Sequence, residues 1–112
     1  MSSEVSGVQG GQPQPSPEEL ERYKKDYNEG LKLFQKAFQE YTKPDVEAHK
    51  KAKLQDVMDK ALNVMNETAC VAISEGKQKK EVELNAHYQA FVDNPTPENQ
   101  QKVAEDLSAL SS

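Results

Sequence analysis

The sequence predicts an all-α protein, an antiparallel helical bundle or extended helical hairpin of three to four helices behind a flexible N-terminal tail. Three observations carry this expectation. From Leu20 onward, apolar residues recur in steps of three and four, the repeat of a helix face. No window alternates apolar and polar residues as a half-buried strand does, and β-branched residues are sparse. Prolines punctuate the chain where helices start, twice behind a hydroxyl residue: Pro15-Ser16-Pro17-Glu18-Glu19 and Pro95-Thr96-Pro97-Glu98-Asn99. In both stretches a hydroxyl is placed to cap orphan amides, a proline sits where no amide partner is needed, and an acid lies near the positive end of the helix.

Residues 1–15, rich in Ser, Gly, Gln and Pro, have too little to bury to offset the entropy of ordering, and are read as a flexible tail ahead of a helical domain at 16–112. The first helix is expected over about 17–41, opened by a capping box between Ser16 and Glu19. Its stripe comprises Leu20, Tyr23, Tyr27, Leu31, Phe34, Phe38 and Tyr41, with Lys24 falling on the same seam. Gly30 lowers helix propensity there without interrupting the pattern.

Pro44 discourages helical geometry at Lys43, so Thr42 or Lys43 is expected to cap a second helix over about 44–74. This helix carries Leu54, Val57, Met58, Ala61, Leu62, Met65, Ala69, Val71, Ala72 and Ile73, an arc wide enough to touch two neighbours. It is read as the central helix, with Ala61, Ala69 and Ala72 allowing close approach. The stretch Ser74-Glu75-Gly76-Lys77 breaks the apolar phase, and Gly76 reads either as a C-cap or as a tolerated residue in a continuing helix. Continuing the heptad would bury Glu75, Lys79 and Gln89, which favours a break. A third helix is expected over about 78–92, with Leu84, Tyr88 and Phe91 inward and Val82 and Ala86 to one side. A fourth, over about 97–110, presents Val103, Leu107 and Leu110.

The chain has 112 residues, 35% hydrophobic and 29% charged, with no Trp, which suits one domain with a modest core. Its net charge of -5 argues against a general nucleic-acid binder, since Lys50, Lys51 and Lys53, and Lys77, Lys79 and Lys80, read as solvated helix faces. No stretch has the length of a membrane span, and the start lacks the basic and apolar run of a secretory signal, so no membrane contact and a cytoplasmic location are expected. Cys70 lies in an apolar run and reads as a buried core residue.

Chemistry is sparse. His49 and His87 stand far apart, Glu47 and His49 lie on different helix faces, and no set of ligands has metal-site spacing. Gly7-Val8-Gln9-Gly10-Gly11 has no strand before it and is not a phosphate cradle. Asp56 reads as a surface partner of Lys60. Asn66-Glu67-Thr68 matches a glycosylation sequon but sits mid-helix, and the Ser16-Pro17 and Thr96-Pro97 pairs are explained by capping more economically than by phosphorylation. No enzyme activity and no cofactor are expected.

What remains is surface for another protein, including a second copy of the chain. The candidate binding residues are Leu20, Tyr27, Leu31, Phe34, Phe38 and Tyr41 on the first helix, and Leu54, Met58, Leu62 and Met65 on the second. These faces either bury each other as the core or leave a groove for a partner helix. The Ser/Gly/Gln-rich start through Pro15 and the helix-turn-helix at Asn94-Pro95 together resemble small components of bacterial type III secretion systems. That resemblance implies a secreted subunit or a chaperone, and export by a signal-peptide-independent route.

Overall fold

The computed structural model describes residues 16–111, so the expected tail at 1–15 lies outside the described residues. Four helices make up nearly all of the described chain: α1 (Pro17–Tyr41), α2 (Ala48–Ala72), α3 (Glu75–Asp93) and α4 (Pro97–Ser111). They form an all-α antiparallel bundle in which α1 packs closely along α2 and α3 along α4, with lighter packing of α2 on α3 and α1 on α4. α2 is therefore one corner of the bundle and not its centre. Its wide arc faces two neighbours, as the composition suggested, but so do the apolar faces of the other helices.

The helix starts follow capping chemistry. The Ser16 hydroxyl accepts from the Glu19 amide at 3.2 Å, and the Glu19 carboxylate accepts from the Ser16 amide, closing a capping box with Pro17 in the first helical turn. The Thr96 hydroxyl accepts from the Asn99 amide at 3.2 Å ahead of Pro97. Two boundaries differ from expectation. Thr42 serves the outgoing helix, its hydroxyl donating to the Phe38 carbonyl at 3.0 Å, so it cannot also open α2. α2 consequently begins at Ala48 behind Glu47, which offers no side-chain cap. The break after α2 is real but lies before Gly76. Ile73 and Ser74 are both extended, and the Ser74 hydroxyl accepts from the Lys77 amide, starting α3 at Glu75. Gly76 is then an open position in the first turn of α3, neither a C-cap nor a mid-helix bend.

The core is built from Tyr27, Leu31, Phe34, Ala37 and Phe38 of α1, Met58, Ala61, Leu62, Met65 and Ala69 of α2, Leu84, Tyr88 and Phe91 of α3, and Val103, Leu107 and Leu110 of α4. Aromatic rings span it from α1 to α3. Phe34 meets Tyr88 edge-on at 5.1 Å, and Phe91 is met edge-on by Phe38 at 5.4 Å and Tyr41 at 5.7 Å. Each such ring stabilises the fold by roughly 2–3 kcal/mol through burial alone. Cys70, expected inside, is exposed, because Met65 and Ala69 point the α2 face inward and Cys70 is turned a quarter of the way round from it.

The tight α1–α2 pairing has a specific cause. A Cβ placed on Gly30 would lie 3.1 Å from the Ala61 carbonyl oxygen and 3.1 Å from Met65 Cγ. Gly30 is thus a contact residue, and its cost in helix propensity is offset by backbone approach. Replacing Gly30 with Val should push the helices apart and lower stability by about 2 kcal/mol in urea unfolding; an unchanged midpoint would show that the approach is not needed. Thr96→Ala should lower stability by about 1 kcal/mol, read in the same experiment, through loss of the α4 cap.

Candidate interaction face and buried polar ties

The ten sequence-predicted contact residues do not form an exposed site. Tyr27, Leu31, Phe34, Phe38, Met58, Leu62 and Met65 are buried in the chain's own core, Tyr41 and Leu54 pack half-buried against it, and Leu20 is half-buried. The α1 and α2 stripes cover each other and the α3–α4 hairpin. Apart from Val82 on α3, the large apolar side chains left exposed among the described residues are on the other side of α1 and α2.

There Asp26, Glu29, Gly30 and Leu33 of α1 and Val57, Lys60, Ala61 and Val64 of α2 line an open furrow of about 600 Å³. Each set follows the three-and-four step that keeps residues on one helix face. Gly30 and Ala61 form the floor where the two backbones approach, leaving no side-chain bulk to fill the space above them. Leu33 remains 54% exposed and Val57 and Val64 37% each, more than an apolar side chain retains when it belongs to a core. Charges rim the furrow: Asp26 and Glu29 on the α1 lip, Lys60 on the α2 lip, the last held by Asp56 at 3.0 Å as its spacing predicted.

Sequence reasoning passed over Leu33 and Val64 and treated Val57 as part of the core arc. Two signals were available. Leu33 stands off the Leu20–Tyr41 stripe, and Val57, Val64 and Val71 recur every seven residues on the edge of the α2 arc. Gly30, opposite an alanine on the neighbouring helix, marks where a shallow recess forms.

Inside the bundle, polar side chains tie helices in pairs. The Tyr27 hydroxyl of α1 donates to Glu81 Oε1 of α3 at 3.0 Å, and the Tyr88 hydroxyl of α3 donates to Asp59 of α2 at 2.7 Å. His87 Nδ1 of α3 lies 2.5 Å from Asp106 Oδ2 of α4, whose carboxylate is almost fully buried, with Lys80 Nζ at 3.9 Å from its other oxygen. Asn66 and Asn85 exchange amide hydrogen bonds at 2.8 and 2.9 Å between α2 and α3, so the sequon asparagine is occupied in a helix-to-helix tie. Burial pushes the Tyr27 hydroxyl above its usual pKa, with the neighbouring Glu81 carboxylate adding to the rise, and burial does the same for Tyr88 beside Asp59.

Among the described residues no group of three or more His, Cys, Asp or Glu side chains is placed to hold a metal ion, and no helix is long and apolar enough to cross a membrane. The Asn94-Pro95 element forms the α3–α4 turn, with the Asn99 side-chain Nδ2 donating to the Asn94 carbonyl at 2.8 Å. No protein-family model matches the chain, nor does any curated protein or solved structure compared with it.

Glu81 is the costliest of the polar groups. It is 4% exposed, and its Oε2 has no hydrogen-bond partner among the described residues. Burial raises its carboxyl above the ordinary value of 4.5, and the Tyr27 hydroxyl opposes that rise only in part. The folded state therefore holds this proton more tightly than the unfolded chain. The stabilising contribution is complete below pH 4.5 and is lost as pH rises through the elevated folded-state value. Glu81→Gln cannot titrate, so its stability relative to the parent should improve progressively as pH rises from below 4.5 to neutrality. Urea midpoints of both proteins across that range check this, and a parent-to-variant difference independent of pH would refute it.

Proposed function

We propose that this chain is a non-enzymatic helical interaction module, a small adaptor or assembly subunit that binds another protein through an apolar helix face. The observation that carries the reading is the furrow between α1 and α2, where Leu33, Val57 and Val64 stay in water although the chain has a complete core elsewhere. Aliphatic side chains grouped beside a small-residue floor and rimmed by charge offer a partner helix an apolar seat with a polar border. The buried faces first suggested by the periodicity support the scaffold that displays this seat. A cytoplasmic setting fits the single cysteine, which has no second cysteine in the chain to pair with.

Rigid helices hold the furrow in shape before any partner arrives, which limits the ordering cost of binding. Val82, at 69% the most exposed large aliphatic among the described residues, lies on α3 away from the furrow and provides an internal control. A photoreactive amino acid placed at position 64 should give covalent protein adducts in the native host, while the same residue at position 82 should give few. Equal yields at the two positions, or none at either, would refute the reading.

A further inference from the structure

The furrow's lip charges are complementary to themselves, and from this we infer that its occupant is a second copy of the chain, bound across a two-fold axis that runs along the furrow. The inference rests on the reading of the furrow as a docking face and names its partner.

In an antiparallel hairpin, residues of α1 and α2 share levels along the common axis. Gly30 lies at the level of Ala61, and Glu40 reaches Lys50 at 3.6 Å at the loop end. A two-fold axis along the furrow preserves level and exchanges helices, setting α1 of one copy over α2 of the other. Glu29 then faces Lys60 of the other copy and Leu33 faces Val57, each contact made twice in the dimer, while Asp26 falls at the level of Val64 toward the end of the face. The same register extends outward. Arg22 lies seven residues before Glu29, and Glu67 seven after Lys60, so the next pair along the stripe is again of opposite sign. Lys36 and Lys53 bring like charges to one level, with Glu40 a turn away to offset them.

Length agrees with charge. Gly30 and Ala61 share one level, so the two low floors meet across the axis and contact is made by the side chains on either side of them. Val57, Val64 and Val71 recur at seven-residue steps, the interval that keeps one helix edge against a neighbouring helix over several turns. Two helices of 25 residues side by side offer a face about 37 Å long and about 18 Å wide. That is roughly 700 Å², near the ~800 Å² per partner of standard interfaces. Because only its middle is apolar, the dimer is a reversible one.

Sedimentation equilibrium of the purified full chain from about 10 µM to about 1 mM should show mass rising from one chain toward two, in the range where an interface of this size with a polar border dissociates. Glu29→Lys and Lys60→Glu each place like charges across the axis and should weaken self-association about tenfold. Mixing the two variants restores both opposite-charge pairs in the heterodimer, which should form about as strongly as the parent dimer. A constant one-chain mass for the parent, or single variants that associate like the parent and gain nothing on mixing, would overturn the proposal. If position 64 still gives adducts with a different protein in the host, the furrow reading survives and self-pairing alone fails. If it gives none, both fail. An adduct within one chain would assign the furrow to residues 1–15 and likewise overturn self-pairing.

Discussion

The contact of Gly30 with the backbone of Ala61 is the constraint from which the rest of the architecture follows. Even a methyl group at Gly30 would lie 3.1 Å from the Ala61 carbonyl oxygen and 3.1 Å from Met65 Cγ, so α1 and α2 approach this closely only with a glycine there. With these helices drawn together, little volume remains between them, and the large side chains must be accommodated on the inner side. There Tyr27, Phe34 and Phe38 extend toward α3, and the wider gap between the two hairpins is filled by rings meeting edge to face. On the outer side the same closeness leaves Leu33, Val57 and Val64 with no room to turn inward. Core and furrow are two consequences of one close approach.

Aromatic packing alone would tolerate sliding and rotation, since rings and Met side chains adapt. The buried polar ties do not. Tyr27 with Glu81, Tyr88 with Asp59, and His87 with Asp106 each join different helices at one level, and a shift of one residue would leave the buried Glu81 or Asp106 carboxylate, or the buried Tyr88 side chain, without its partner. Such groups specify arrangement at some expense in stability. Glu81 shows that expense most openly, with one oxygen satisfied and the other bare.

The fold was largely legible because its determinants are local. The Ser16–Glu19 box, the Thr96 cap and the apolar stripe of α3 can be read residue by residue, and Leu84, Tyr88, Phe91, Val103, Leu107 and Leu110 are where periodicity put them. Boundaries were misread where one residue had two possible roles. Thr42 was equally able to end α1 or begin α2, and only its hydrogen bond to Phe38 decides. Gly76 drew notice as a helix breaker while Ser74, two residues earlier, did the breaking. The candidate face was less legible for a different reason. Periodicity finds the residues that repeat, and these became the core, whereas Leu33 and Val64 belong to no inward stripe. Cys70 failed similarly, since an apolar neighbourhood in sequence does not say which way one residue of a helix turns. Glu81 follows a charged stretch and drew no notice, and nothing short of its neighbours in space reveals that it faces Tyr27.

The strength of binding at the furrow is bounded by what remains to be buried there. Val57 and Val64 have already given up most of their surface to the monomer, and Leu33 about half. Covering the remainder contributes on the order of 1 kcal/mol per side chain or less, while association costs at least about 4 kcal/mol in lost translational and rotational freedom. The apolar strip therefore sustains a complex only together with the flanking contacts along the hairpin. The lip charges add less to affinity than to orientation, because exposed pairs such as Lys60 with Asp56 must exchange one solvated partner for another. What they do determine is direction: with acids on α1 and a lysine on α2, the opposite-handed docking would oppose acid to acid. A face built in this way would discriminate among arrangements more than it holds them, in keeping with the proposed role of a subunit that joins and leaves an assembly without forming a permanent core with its partner.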